Sequence, residues 1–300
     1  VDNVCHTLAG AAFAAAGLKR ATALSRATLV IAANLPDIDV LAFASDTPWV
    51  AFRRGWTHGV VAQAVLPILL AAVMFAFGRR RGARFGPLVG LSAVGVLSHV
   101  ALDLLNNYGV RLLMPFSGRW FYGDSVFIVD IWLWLTLGAG CWLAFTRDRD
   151  RPARVALVVA SCYIVAMVVS ARAAREIVRD GWRARHGREP QALMVGPVPI
   201  TPFRRMVIVD AGETYATGTF DWFSRTVRFD DERLPKNDRH PSVRAAIASD
   251  ERIQAVLIWA RFPYYEIQKT PSGDAVTLRD VRFGNRVGGV RAVVGGSPGS

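Results

Sequence analysis

Lysine is almost missing from this 300-residue chain: 33 of its 36 basic residues are arginine, spread along its length instead of gathered in one patch. A net charge of +12 suggests a nucleic-acid partner. Scattered arginine beside apolar segments more often sets membrane topology, so no nucleic-acid partner is expected. Cysteine is sparse too. Cys5, Cys141 and Cys162 lie far apart, two of them in apolar runs, which excludes a disulfide framework and a Cys-x-x-Cys metal site. Glutamate does not occur before Glu176. No basic segment precedes the first apolar run, which contains His6, so no cleaved signal peptide is expected. Charged residues make up only 20% of the chain and hydrophobic ones 52%, a balance that suits a membrane protein.

What charge there is falls unevenly. Residues 1–171 carry 24 charged side chains and residues 172–300 carry 36. The expected fold is therefore an α-helical multi-pass membrane domain, 1–171, followed by a polar helix and Pro-rich linker, 172–202. A small mixed α/β soluble domain, 203–294, and a flexible tail, 295–300, complete it. Four segments are apolar enough to cross a bilayer, which takes about 20 residues: Val60–Phe77, Gly86–Leu105, Val126–Phe145 and Val155–Ala171. Ahead of them His6–Leu18 and Ala21–Leu35 are shorter and predict a helical hairpin dipping into the membrane or packing on the bundle. In the soluble part, β-branched and aromatic content predicts strands at Met206–Asp210, Thr214–Phe220, Thr226–Phe229, Tyr264–Gln268 and Ala275–Phe283. Ser242–Ala260 predicts helix broken near Asp250, which can cap the second half.

Alternate short loops hold 11 basic residues: Lys19, Arg20 and Arg26; Arg79, Arg80, Arg81 and Arg84; Arg147, Arg149, Arg151 and Arg154. The intervening loops hold only Arg53, Arg54, Arg111 and Arg119. The positive-inside rule assigns the first set to the cytoplasm and, by alternation, the soluble domain to the other side. Arg172, Arg175, Arg179 and Arg183, just after the last span, argue against that assignment.

The polar residues of the front half then fall at one face, the extracytoplasmic one. His6 opens the first helix, Asn34-Leu35-Pro36-Asp37-Ile38-Asp39 closes the second, and Arg54-Gly55-Trp56-Thr57-His58 precedes the first long span. His99 and Asp103 end the next span, and Asp124 and Asp130 open the third. His99 and Asp103, four apart, are about 40° around a helix and project from one face. Asp37 and Asp39, after a proline, would point the same way on an extended backbone. Each alone has a plain reading: Asp37 or Asp39 as a helix cap, Asp124 as a turn residue, the arginines as headgroup contacts. Their convergence argues for a divalent-metal site, since ionisable groups at membrane depth are costly unless they function. His6, Asp37, Asp39, His58, His99 and Asp103 are the expected ligands, with Asp37 and Asp39 also the catalytic carboxylates. Asp124 and Asp130 would orient them, and Arg54 and Arg119 would bind substrate.

These motifs, together with Met114-Pro115-Phe116 and Trp120, resemble the bacterial membrane-bound metal-dependent hydrolases, the YdjM-like inner-membrane proteins, over about residues 3–145. The tail, with Pro202-Phe203-Arg204-Arg205 and Arg261-Phe262-Pro263-Tyr264-Tyr265, is similar to longer members. More remotely, the His, Asp, His and His-x-x-x-Asp pattern is similar to that of the zinc-dependent phospholipases C, which use more histidines and a glutamate. The resemblance implies an inner-membrane hydrolase of a phosphoester in a lipid or lipid-linked substrate. Its cofactor would be a divalent metal, zinc before manganese or magnesium, as one or two ions. The alternative is a non-enzymatic metal-binding scaffold, lipid binder or transporter.

Overall fold

The structure, a computed structural model, describes residues 1–44, 52–286 and 289–295. The described residues divide into two compact units. The first comprises Val1–Leu41, Arg53–Ala173 and Gly196–Pro202; the second comprises the described parts of Ala42–Phe52, Ala174–Val195 and Phe203–Ser300. From 296 on, the expected tail lies outside the described residues.

The first unit is helical. Two short helices, α1 (Asn3–Ala15) and α2 (Ser25–Ala32), form the expected hairpin, and a 3-10 stretch, Leu35–Ala44, follows. Then come α3 (Val60–Gly78), α4 (Phe85–Leu104), α5 (Ile131–Thr146) and α6 (Arg151–His186). Among the described residues three segments are long and apolar enough to cross a membrane: Val60–Arg81, Phe85–Leu104 and Arg151–His186. The fourth expected span is shorter than the sequence suggested. Residues 126–130 are not helical, because Asp130 is the N-cap of α5 and its carboxylate accepts from the Trp132 and Leu133 amides. Starting at Ile131, α5 has 16 residues, a rise of about 24 Å against a hydrocarbon core of about 30 Å. Large apolar side chains stay outside the packing, among them Phe77 at 77% and Phe145 at 80% exposure. Exposed apolar faces on helices of this length are consistent with a lipid bilayer.

Small residues let the helices close. A Cβ on Gly95 would lie 2.4 Å from the Ala32 Cβ and 2.9 Å from the Ala33 nitrogen, so glycine there allows α4 to press on the end of α2. One turn further along the same face of α4 stands His99.

The polar helix expected to follow the last span is continuous with it, so that α6 is one 36-residue helix. Its residues from Ala174 on belong to the second unit, where Ala174, Val178 and Trp182, spaced four apart, pack on Val207, Val209 and Phe220. The sheet there has the order β1-β2-β3-β4: Ala192–Pro197, Arg204–Asp210, Thr214–Asp221 and Thr226–Pro235. Strand β1 stands in the segment expected to be linker. Five of its six residues are buried, so it lacks the alternation by which a half-buried strand is recognised. A second antiparallel sheet joins β5 (Pro263–Thr270), β6 (Gly273–Asp280) and β7 (Val290–Val294). Against it pack α7 (Pro241–Ser249) and α8 (Glu251–Trp259) through Val243, Ala246 and Ile253. The break between these helices is at Asp250, whose carboxylate caps α8 by accepting from the Arg252 amide.

Candidate metal centre

Three segments far apart in sequence meet inside the first unit. Asp37, His58, His99 and Asp103 are all buried, and one ligand atom from each lies within 4.8 Å of every other. These four residues can hold a metal ion. The Nε2 atoms of His58 and His99 are 3.2 Å apart. Asp103 Oδ2 is 3.3 Å from the first and 3.5 Å from the second, and Asp37 Oδ1 is 3.9 and 3.8 Å away. Tetrahedral ligands on bonds of about 2.0–2.2 Å stand about 3.3–3.6 Å apart, close to the separations among His58, His99 and Asp103, with Asp37 a few tenths of an ångström further out.

The protons decide what such a cluster can bind. His99 Nδ1 is 2.8 Å from the Ala33 carbonyl, which only accepts, so Nδ1 carries the hydrogen and Nε2 of the neutral ring is a lone pair. His58 Nδ1 is 2.9 Å from Thr57 Oγ1, and the Thr57 hydroxyl donates to Asp39 Oδ2 at 3.3 Å. The hydroxyl oxygen therefore accepts from His58 Nδ1, and His58 Nε2 is a lone pair as well. Burial holds the His58 imidazole below its ordinary pKa, so the ring is neutral near pH 7. Two nitrogen lone pairs and two carboxylate oxygens thus face one another with no proton to share. That donor set fits a divalent cation.

The surrounding residues hold these ligands in place. His6 lies beside the four-atom group, stacked on His99 with ring centroids 3.7 Å apart, and its Nε2 is 3.3 Å from Asp103 Oδ1. Burial pushes His6 down to about 4. Asp39, expected beside Asp37, points elsewhere. Leu35–Ala44 is a 3-10 helix and not an extended strand, and residues two apart on a three-residue turn diverge by about 120°. Asp39 Oδ2 accepts from the Arg54 amide at 2.8 Å and from Thr57, so it braces the loop carrying His58.

The two candidate substrate arginines differ in position. Arg54 is buried, with Nε 3.2 Å from Asp103 Oδ2 and Nη1 donating to Asn106 Oδ1 at 3.1 Å. Its guanidinium lies 4.6 Å from the centre of the Tyr108 ring. Arg119 is exposed and lies over Phe121. Asp130 bonds to its own helix start and to the Tyr163 hydroxyl, at 2.9 Å. Asp124 is buried with a left-handed backbone, φ 49°, and its amide reaches the Asn106 carbonyl.

Sequence reasoning passed over Arg53, Thr57 and Asn106. Arg53 is 20% exposed and sets Nη2 3.2 Å from Asp37 Oδ1 and Nε 3.5 Å from Asp39 Oδ1. Thr57 adjoins a singled-out histidine, and that adjacency was the available signal. Nothing in sequence distinguishes Arg53 from Arg54.

Over residues 1–174 the chain matches the family described as YdjM inner membrane protein. It is also similar to uncharacterized protein YfhP of Bacillus subtilis (strain 168), 22% identical over 255 residues, which cover 83% of this chain and 74% of that protein. No solved structure matches it.

Proposed function

The chain belongs to the YdjM inner membrane protein family, and from that premise we propose that it is a metal-dependent hydrolase of a phosphoester in a lipid or lipid-linked molecule. One observation carries the reading: the Nε2 atoms of two histidines whose Nδ1 atoms are bonded elsewhere converge with two buried carboxylates. Asp37, His58, His99 and Asp103 would hold the cation, zinc before manganese or magnesium, as one or two ions. A divalent cation held there supplies Lewis acidity toward water and phosphoryl oxygens.

The chain's own residues divide the remaining work. Ala33 and the Thr57–Asp39 pair fix the tautomers of the two histidines and so aim both lone pairs inward. His6 and Arg54 hold Asp103 from opposite oxygens. Asp37, whose Oδ1 faces the histidines and which is less enclosed than Asp39, would hold the cation through that oxygen and take the water proton on the other as general base, and Asp39 is a positioning residue. Arg53 at the edge of the cluster offers a guanidinium to an anionic phosphoryl group, with Arg119 further out. Arg54 is committed to Asp103 and Asn106 and acts on the site through them. Asp124 and Asp130 support the surrounding loop and helix. The apolar helices support a substrate delivered by the bilayer, and the arginine distribution supports an extracytoplasmic second unit.

The test is phosphate release from a panel of membrane phospholipids and lipid-linked phosphates by the purified full chain in nanodiscs. Turnover should vanish with chelator, return with added metal, and be lost in His99→Ala and Asp103→Asn. A chain that keeps its metal yet turns over nothing in the panel contradicts the hydrolase reading.

A further inference from the structure

A second feature of the first unit lies at the other end of α1 from His6, about 13 Å along the axis. There α1, α2 and α5 leave a groove of about 380 Å³. Its walls are Ala11, Ala14, Ala15 and Ala144, with the 80% exposed Phe145 at its edge. The size is that of a small-molecule site, and apart from three charged residues the lining is apolar. In a protein whose exposed apolar helix faces suit a bilayer, an open concavity of this kind takes an acyl chain.

The mouth has the opposite character. Lys19, Arg26 and Asp148 line it. Lys19 is 3.2 Å from Asp150 and 3.9 Å from Asp148, and Asp150 also pairs with Arg20 and Arg154. Four cations thus face two carboxylates. Arg26, on the exposed side of α2, has no carboxylate partner among the described residues. Basic residues over an apolar pocket between helices complement a phosphate on an acyl chain.

We propose that this groove is an anionic-phospholipid site, with an acyl chain between α1, α2 and α5 and the lipid phosphate on Arg26 and Lys19. It is separate from the His/Asp cluster and does not depend on what that cluster catalyses. An occupant would fill the gap beside α1 and brace the helix that carries His6.

The purified full chain in detergent, titrated separately with phosphatidylglycerol, phosphatidylcholine and inorganic phosphate, tests the proposal by thermal unfolding and native mass spectrometry. Phosphatidylglycerol should raise Tm by about 5 °C near saturation and stay bound at one lipid per chain. Phosphatidylcholine should do neither. Arg26→Gln, a surface change, should abolish the difference, and so should Ala144→Phe, which fills the groove. Should Ala144→Phe fail to fold, Arg26→Gln decides alone. Equal shifts from both lipids, a phosphatidylglycerol effect that survives Arg26→Gln, or the same shift from inorganic phosphate would each overturn the assignment.

Discussion

His58 and His99 face each other through Nε2 atoms 3.2 Å apart, while the Nδ1 proton of each is engaged elsewhere, by Thr57 on one side and by the Ala33 carbonyl on the other. Two lone pairs this close, in a buried setting and beside two carboxylates, are unfavourable unless a cation lies between them. The His99 tautomer is set by Ala33, and that of His58 by its neighbour Thr57, whose hydroxyl Asp39 orients from another segment, so the cluster is preorganised by packing.

Thr57→Val keeps the branched shape and removes the hydroxyl that links His58 to Asp39. Metal affinity is expected to fall about 10- to 100-fold with the fold intact, as for other groups that orient a ligand. Thr57→Ser should restore it. Competition with chelators of graded strength reads the change, and unaltered affinity would exclude the Thr57–Asp39 pair from ligand orientation.

Gly95→Ala should act on the centre from a distance. Its Cβ would meet Ala32 at 2.4 Å, forcing α4 away from α2 at about 1–3 kcal/mol and drawing His99 from the Ala33 carbonyl. Gly90→Ala, where nothing lies within 4 Å of the added atom, is the control. Metal affinity at least about tenfold lower in the first and unchanged in the second is expected, since about 1.4 kcal/mol is a factor of ten. Equal behaviour of the two would mean that helix approach does not position His99.

The side of the membrane on which the second unit lies turns on α5. If its 16 residues cross, the number of crossings is even and the second unit returns to the side where the chain starts, the extracytoplasmic one by the arginine pattern. With Cys5, Cys141 and Cys162 replaced, a probe cysteine at exposed Ser272 should react with a membrane-impermeant maleimide in intact spheroplasts. Labelling only after lysis would place the unit in the cytoplasm and make α5 a helix that does not cross.

Much of the centre was legible because metal-binding side chains are rare in an apolar sequence, so His58, His99 and Asp103 stood out against their surroundings. The spacing of His99 and Asp103 on one helix face carried directly into the structure. Asp37 and Asp39 were not separable, because whether a post-proline turn is extended or 3-10 is settled by tertiary contacts such as the Arg54 amide on Asp39. Asp130 was expected to orient the metal ligands, and its bonds to the Trp132 and Leu133 amides show that it caps α5. In the second unit, strands with alternating or β-branched sequence were recognisable. The buried β1 was hidden by its uniform apolarity and by the prolines that follow it.

Metal content of the purified full chain, measured by elemental analysis after dialysis, tests the central claim most directly. Wild type should carry at least about one divalent ion per chain, and His99→Ala and Asp103→Asn, folded by circular dichroism, should carry less than about a tenth of that, each having lost a ligand. Wild-type protein that takes up no divalent metal, or variants that retain the full complement, would contradict the assignment of Asp37, His58, His99 and Asp103 as a metal centre.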